Sequence, residues 1–514
     1  MSKTIIIIGA GLAGLSAALQ AAENGCNVKL VSSFPSERAQ SVMAEGGINA
    51  ALNTKDENDS PEEHFTDTIK AACGLADPNA VWGMTQAAPE LVHWLLKLGV
   101  KFNMSGYDDV DLRNFGGQKK KRTAFAQSDT GKQIMTAMID AVRRKEASGM
   151  VERFSHHSFL TLRLCGNICC GCVIRDEYSQ ETVELPGDAV IVATGGMHGL
   201  FGNTTGSLSN TGEVTAELFR LGVPLANGEM IQYHPTTVKC GGKRMLISEA
   251  ARGEGGRLFA MKDGKQWYFM EEKYPELGNL MPRDITAREI WKVSHESEVF
   301  LDMTEISEEI ISNKLSGLAD DCMTYLHKDI RKEPVSVLPG IHYFMGGILV
   351  DEQHRTPIQN LYAAGECCAQ YHGANRLGGN SLLGALYGGR VAAKSACEQA
   401  DVVDLSCATQ IDFPPASQIS EIKQLNKVMQ ETMGVVRNEN TLLNGIQTVQ
   451  ALTGNLPLLG MAVLKSALAR KESRGAHWRE DYPKSNDDDY LKTTVAIFDG
   501  KQIQISFVPV PERR

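Results

Sequence analysis

Arg376 stands in "YHGANRLGGNS" (371–381), a lone cation among small residues. Arginine is rarely buried without a partner, and glycines let backbone come close to another group. Four other stretches carry related chemistry: "QYHPTT" with His234, "ISEAARGEGG" with Ser248, Glu249 and Arg252, "MPRDI" with Arg283 and Asp284, and "IHYFMGG" with His342. A guanidinium is planar and matches a carboxylate in two parallel hydrogen bonds. Arg252, Arg283, Arg376, His234 and His342, each beside glycine, proline or small residues, therefore suggest a pocket for a small dianion. Taken singly, each has an ordinary explanation. A histidine is more often a satisfied structural residue than a ligand, "PRD" is a common helix start, and Glu249 with Arg252 at i, i+3 makes a plain helix pair. The residues gain weight as a set, beside a cofactor site.

Residues so dispersed need a rigid scaffold, and "TIIIIGAGLAGLSAALQAAENGCNVKLVSS" supplies one. Ile5 to Ile8 form the unbroken apolar run of a buried parallel strand. Gly9, Gly11 and Gly14 follow as G-x-G-x-x-G. A helix is expected from Leu12 to Asn24, stopped by Gly25, and "NVKLVSS" is a second strand. Gly9 permits the tight turn, Gly11 lets backbone approach a pyrophosphate, and Gly14 brings helix and strand together at a phosphate-favouring helix N-terminus. NAD sites usually carry an acid at the end of the second strand. Ser32 and Ser33 stand there instead, which leaves FAD open. "DAVIVATGG" (188–196) and "NLYAAGEC" (360–367) repeat the strand-and-glycine junction far along the chain. Each alone is an ordinary strand–turn junction; together they suit the long body of FAD.

The expected fold is α/β: a Rossmann-like FAD-binding domain (1–233 and 344–414), an inserted α+β capping domain (234–343), a helical domain (415–482) and a small C-terminal strand region (483–514). Strand and helix are expected to alternate over 1–233, with amphipathic helices at "PEEHFTDTIKAACG" and "NAVWGMTQAAPELVHWLLKLG". No internal repeat is seen. The chain has 514 residues and a net charge of -10, which argues against nucleic-acid binding. "KKKR" (119–122) and "NDDDY" (486–490) read as a solvated loop and a solvated turn. No run of about 18 apolar residues predicts a membrane span, and the N-terminus lacks a secretory pattern. Twelve scattered cysteines read as reduced thiols in a cytosol. Cys169, Cys170 and Cys172 lack a second ligand cluster and read as part of a strand pair with a tight turn, not as a metal site.

With these motifs in view, the chain resembles the flavoprotein subunit of the succinate dehydrogenase/fumarate reductase family, which includes L-aspartate oxidase. "GAGLAGLSAA", "AEGGINAAL", "FGGQKKKRTAFAQSDTGKQI", "SEAARGEGG", "HGANRLGGNSL" and "ESRGAHWREDYP" carry the likeness nearly end to end. The resemblance implies FAD along Gly9, Ala10, Gly11, Ala13, Gly14, Ser32, Ser33, Ser41, Ala44, Glu45, Gly46, Gly47, Ala193, Thr194, Gly195, Glu213, Glu366, Ser381 and Leu382. It implies that His234, Ser248, His342 and Arg376 bind the substrate carboxylates. Arg283 would be the proton donor, fed through Glu249 and Arg252. A free guanidinium holds its proton to above pH ~12, so such an acid needs a relay and a site closed to water. An iron–sulfur subunit is the implied electron partner. The expected place is the cytoplasm, with membrane association through partner subunits.

The chain departs from the family at three points. Many members attach FAD through a histidine just before the "AEGG" loop, and Gln40 takes that place here. An amide cannot form the link, so non-covalent FAD is expected, and with it a tilt towards fumarate reduction. Glu213 in "NTGE" stands where the family usually has Asp. Phe344 lies where Thr or Cys is commoner, which raises the case of another enoate. "RNFGGQKKKRTAFAQSDTG" fits the reductase branch, whereas "ISEAARGEGG" and "PRDITARE" look somewhat like the oxidase. Fumarate–succinate interconversion is the expected activity, with L-aspartate oxidase, giving iminoaspartate, as the alternative.

Overall fold

A computed structural model of the protein describes residues 2–106, 109–400, 411, 413 and 418–514. Its centre is a parallel five-stranded sheet. The strands are β1 (Thr4–Ile8), β2 (Asn27–Ser32), β3 (Val151–Ser155), β4 (Ala189–Val192) and β5 (Leu361–Ala363), in the order β5-β4-β1-β2-β3. Ile5, Ile6 and Ile7 are wholly buried, because this sheet is covered on both faces. Helix α1 (Leu12–Glu23) leaves the first turn and packs along α2 (Asn380–Gln399). Their contact is close enough that a Cβ on Gly389 would lie 2.2 Å from the Ala13 carbonyl oxygen. The three strand ends foreseen to meet one cofactor, after β1, β4 and β5, therefore lie side by side.

Strand and helix do not alternate throughout 1–233. Strands His157–Cys165, Ile168–Asp176 and Thr182–Pro186 form an antiparallel meander instead. Cys169, Cys170 and Cys172 are buried in its middle strand. The first two strands form a hairpin closed by the short turn at Gly166–Asn167, which is the strand pair with a tight turn expected around these cysteines.

Strands Ile231–Cys240 and Leu338–Phe344 pair antiparallel, and the expected boundaries at 233/234 and 343/344 fall inside them. Between them, residues from Ile247 to Val337 gather an apolar core of their own, joined by Phe115. Helices Ile419–Thr432, Glu439–Val449 and Asn455–Ala469 follow, then a hairpin of Lys492–Phe498 and Ile503–Pro509. The expected boundary at 414/415 lies outside the described residues.

Two charge runs are not simply solvated. In "KKKR", Arg122 is fully buried, and its Nη2 lies 2.8 Å from Asp59 and 3.0 Å from Asp67. In "NDDDY", Asp487–Tyr490 is one helical turn whose Asp487 pairs with Arg474 at 2.5 Å. No described helix is long and apolar enough to cross a membrane.

Candidate active site

One cavity of about 820 Å³ runs from the ends of β1 and β2, past the glycine turn, to the space beneath residues 231–344. All the cofactor residues expected from the sequence line it except Gly14. Gly14 has a packing role: a Cβ there would lie 1.8 Å from the Gly9 carbonyl oxygen. At Gly11, by contrast, a Cβ would meet no chain atom nearer than 3.8 Å, so it would project into the cavity. Ser32 Oγ is buried at the end of β2 with no hydrogen-bond partner among the described residues. An open glycine turn with an unpaired hydroxyl beyond it fits the phosphates and sugar of a dinucleotide. Glu213, exposed, borders the cavity at the start of helix Glu213–Arg220. Gln40 faces it too, its Oε1 accepting from the Ser207 N–H.

Glu45 sits at the junction of the cofactor stretch and the far end. Its Oε2 is buried and has no hydrogen-bond partner among the described residues. Burial, followed by the charge of Asp321, raises its carboxyl from an ordinary 4.5 to about 8, against the Ser248 hydroxyl, which pulls it down. His198 is wholly buried behind the cavity, its Nε2 3.6 Å from Glu366 Oε1. Glu366 Oε1 also accepts from Phe344 N at 3.1 Å.

At the far end, Arg283 begins helix Arg283–Val293, and Ser248 caps helix Glu249–Gly253 by accepting from Ala250 N. Arg283 Nε and Nη2 donate to Glu249 Oε2 at 2.8 and 2.5 Å, and Nη1 donates to Gln232 Oε1 at 3.1 Å. Glu249 Oε1 accepts from Gly116 N at 3.1 Å and lies 3.4 Å from Arg252 Nη2. Burial alone would raise the Glu249 carboxyl; Arg283 and Arg252 outweigh it and hold it below 4.5. Arg252 does not reach the cavity. It stands behind Glu249 and donates to Asn279 O at 2.7 Å. The spacing that could have been a plain helix pair is thus one half of an Arg–Glu–Arg chain ending at the cavity.

Arg376 is buried with its guanidinium 4.4 Å over the Tyr343 ring, and its Nε has no hydrogen-bond partner among the described residues. Burial, and after it Arg283, pushes the group down to about 9, so an anion in the cavity is strongly favoured. Its loop is pinned from below. Asn49 Nδ2 donates to Gly378 O and Asn380 Oδ1, both at 2.7 Å. Gly378 has no room for a side chain, since a Cβ would lie 2.9 Å from Glu249 Oε2. His234 and His342 cross at 5.1 Å between ring centres. Burial, then Arg283, holds both well below 6.5, so both are neutral.

Two residues of this end escaped the sequence reading. Gln232 bridges Arg283 to Asn375 and to the Arg376 carbonyl. It lies two residues before His234 in the same strand, but the pairing shifts register beside it, so strand alternation alone did not mark it. Tyr343 lines the cavity under Arg376, whereas Phe344 points away from it and packs on His198 at 5.0 Å and Phe201 at 5.7 Å. Phe344 therefore does not shape the pocket directly.

The FAD binding domain family matches residues 4–382, and the Fumarate reductase flavoprotein C-term family matches 452–513. The succinate dehydrogenase flavoprotein subunit of Bacillus subtilis is 39% identical, covering 96% of this chain and 94% of that protein. The 8-methylmenaquinol:fumarate reductase flavoprotein subunit of Wolinella succinogenes is 32% identical, over 97% and 89%. Among solved structures, E. coli quinol fumarate reductase superposes with a TM-score of 0.90 at 27% identity, covering 99% of this chain and 97% of that one.

Proposed function

The chain belongs to the succinate dehydrogenase/fumarate reductase flavoprotein family, and on that premise we propose that it interconverts fumarate and succinate, favouring fumarate reduction. The observation that carries this reading is the Arg283–Glu249–Arg252 chain ending at a cavity that also holds Arg376, His234, His342 and Ser248. Arg376, His342, His234 and Ser248 bind the two carboxylates. A neutral imidazole gives a hydrogen bond without competing for the anion's charge, and Arg376 supplies the charge. When bound, FAD supplies hydride to one alkene carbon. Arg283 gives a proton to the other through an N–H that the protein leaves free, and Glu249 and Arg252 restore it. The two carbons thus gain one hydride and one proton, and fumarate becomes succinate.

FAD is held without a covalent link, because Gln40 offers an amide where a histidine would be needed. The absence of a link lowers the drive for succinate oxidation and favours reduction. Electrons come from a separate iron–sulfur subunit, since this chain offers no cluster-binding cysteine pattern of its own.

The test is fumarate-dependent oxidation of reduced viologen, without oxygen, by the purified FAD-loaded protein. Rapid turnover is expected, with slow turnover on NADH alone. Acid precipitation of the same sample should leave flavin in the supernatant. Peroxide formed from L-aspartate and oxygen would move the protein to the oxidase side of the family and overturn the proposal.

A further inference from the structure

Neutral His342 carries one N–H, which must point at the substrate for the ring to hold a carboxylate. Its Nδ1 lies 2.8 Å from Thr205 Oγ1. The ring therefore presents Nε2–H to the cavity only if Nδ1 accepts and the Thr205 hydroxyl donates. Among the described residues that hydroxyl has one other acceptor, the Ile341 carbonyl, at 3.3 Å. The Ile341 carbonyl is already served by the Thr205 backbone N–H at 2.9 Å. At 3.3 Å the carbonyl contact is long for an O–H···O bond, so the 2.8 Å contact takes the hydroxyl proton to His342.

The segment is also braced. Thr204 Oγ1 accepts from Gly206 N at 3.1 Å and meets His198 Nδ1 at 3.0 Å. Thr204 and His198 are wholly buried, and Thr205 nearly so. A buried, braced hydroxyl keeps its direction far better than one on a free loop.

We propose that Thr205 is a positioning residue for dicarboxylate binding, selecting the His342 tautomer with hydrogen on Nε2. This rests on the fumarate–succinate reading given above. Thr205 touches neither reacting carbon, and it acts through His342 alone. Thr205→Val keeps the shape and removes the hydroxyl, Thr205→Ala repeats the loss without added bulk, and Thr205→Ser restores the donor.

Malonate, an unreactive dicarboxylate, is titrated into FAD-loaded enzyme and followed by the flavin absorbance change. The valine and alanine variants are expected to bind it about 10- to 100-fold more weakly, as expected when one buried polar group loses its partner. The serine variant should return to within a few-fold of the parent, with bound flavin and Tm equal in all four proteins. The KM for fumarate should rise more than kcat falls. In a His342→Ala background, Thr205→Val should add nothing further. Parent-like malonate binding by both the valine and alanine variants overturns the proposal. So does a serine variant as weak as valine, or a full additional loss in the His342→Ala background. A parent enzyme that binds no malonate instead refutes the dicarboxylate reading itself, and this inference with it.

Discussion

Arg283 has five N–H groups, and the described residues occupy three: Nε and one on Nη2 with Glu249, one on Nη1 with Gln232. Two remain that could serve the proposed substrate, at a position with little exposure to water. Replacing Arg283 by alanine removes the proposed proton donor but leaves the glycine turn untouched. Bound flavin should stay at the parent level while fumarate-driven viologen oxidation falls by about 10²–10⁴-fold, the usual range for a general acid. Parent-like turnover would remove Arg283 from the mechanism. Glu45 allows a second prediction at this scale. Its carboxyl is raised to about 8, chiefly by burial. Below pH 4.5 it is protonated whether the chain is folded or not. Between 4.5 and about 8 the folded protein keeps a proton that the unfolded chain releases, so stability falls as pH rises through that window. Glu45→Gln abolishes this loss. The variant's gain in Tm over the parent should be small at pH 5, grow to pH 8, and correspond there to at most about 4 kcal/mol. A Tm difference that does not vary with pH would place the proton elsewhere.

At the scale of elements, the glycine turn separates packing from binding within six residues. A Cβ on Gly14 would overlap the Gly9 carbonyl, and one on Gly11 would enter open cavity. Gly14→Ala should therefore lower Tm and lose FAD together. Gly11→Ala should leave the Tm of the flavin-free protein unchanged and weaken FAD at least about tenfold, read by titrating FAD into each protein; the turn's backbone could then no longer approach the pyrophosphate. Equal Tm losses in both would refute the distinction. This turn was legible in the sequence because strand, glycines and helix are contiguous and each has a local signature. The polar far end of the cavity was legible as residue types, since arginine and histidine beside small residues are uncommon, although its role in binding substrate is a proposal. What could not be read was anything whose partner is remote. Arg122 looked like one more charge in a basic run, because Asp59 and Asp67 lie more than fifty positions away. Gln232 carries no charge to draw notice, and its bonds to Asn375 and Arg376 arise only once two distant segments meet. Of the meander over 157–186, the strand pair around Cys169–Cys172 was read from the sequence, whereas its third strand, Thr182–Pro186, was not.

For the molecule as a whole, the proposed proton transfer needs a site closed to water, and the unit around Ile247–Val337 lies over the cofactor cavity where it would provide one. Helix Ser316–Asp321 of that unit borders the cavity through Gly317, Asp320 and Asp321. It is seated tightly against Ser128: a Cβ on Gly317 would lie 2.9 Å from Ser128 Cβ. Gly317 has no unusual backbone angle, so a larger residue is resisted by this contact and not by strain. Gly317→Val should push the helix off Ser128 and admit water, while the glycine turn and the Arg283–Glu249 pair stay as they are. Water at the site weakens every charge interaction in it. The expected result is parent-level flavin content, a higher KM for fumarate and a kcat lower by about tenfold. Ser128→Gly removes the opposing Cβ, so the double variant should recover most of the loss. Recovery would assign the defect to the seat between the two units. A loss equally large in the double variant would mean that valine acts within its own helix, and closure at this contact would then not limit the reaction.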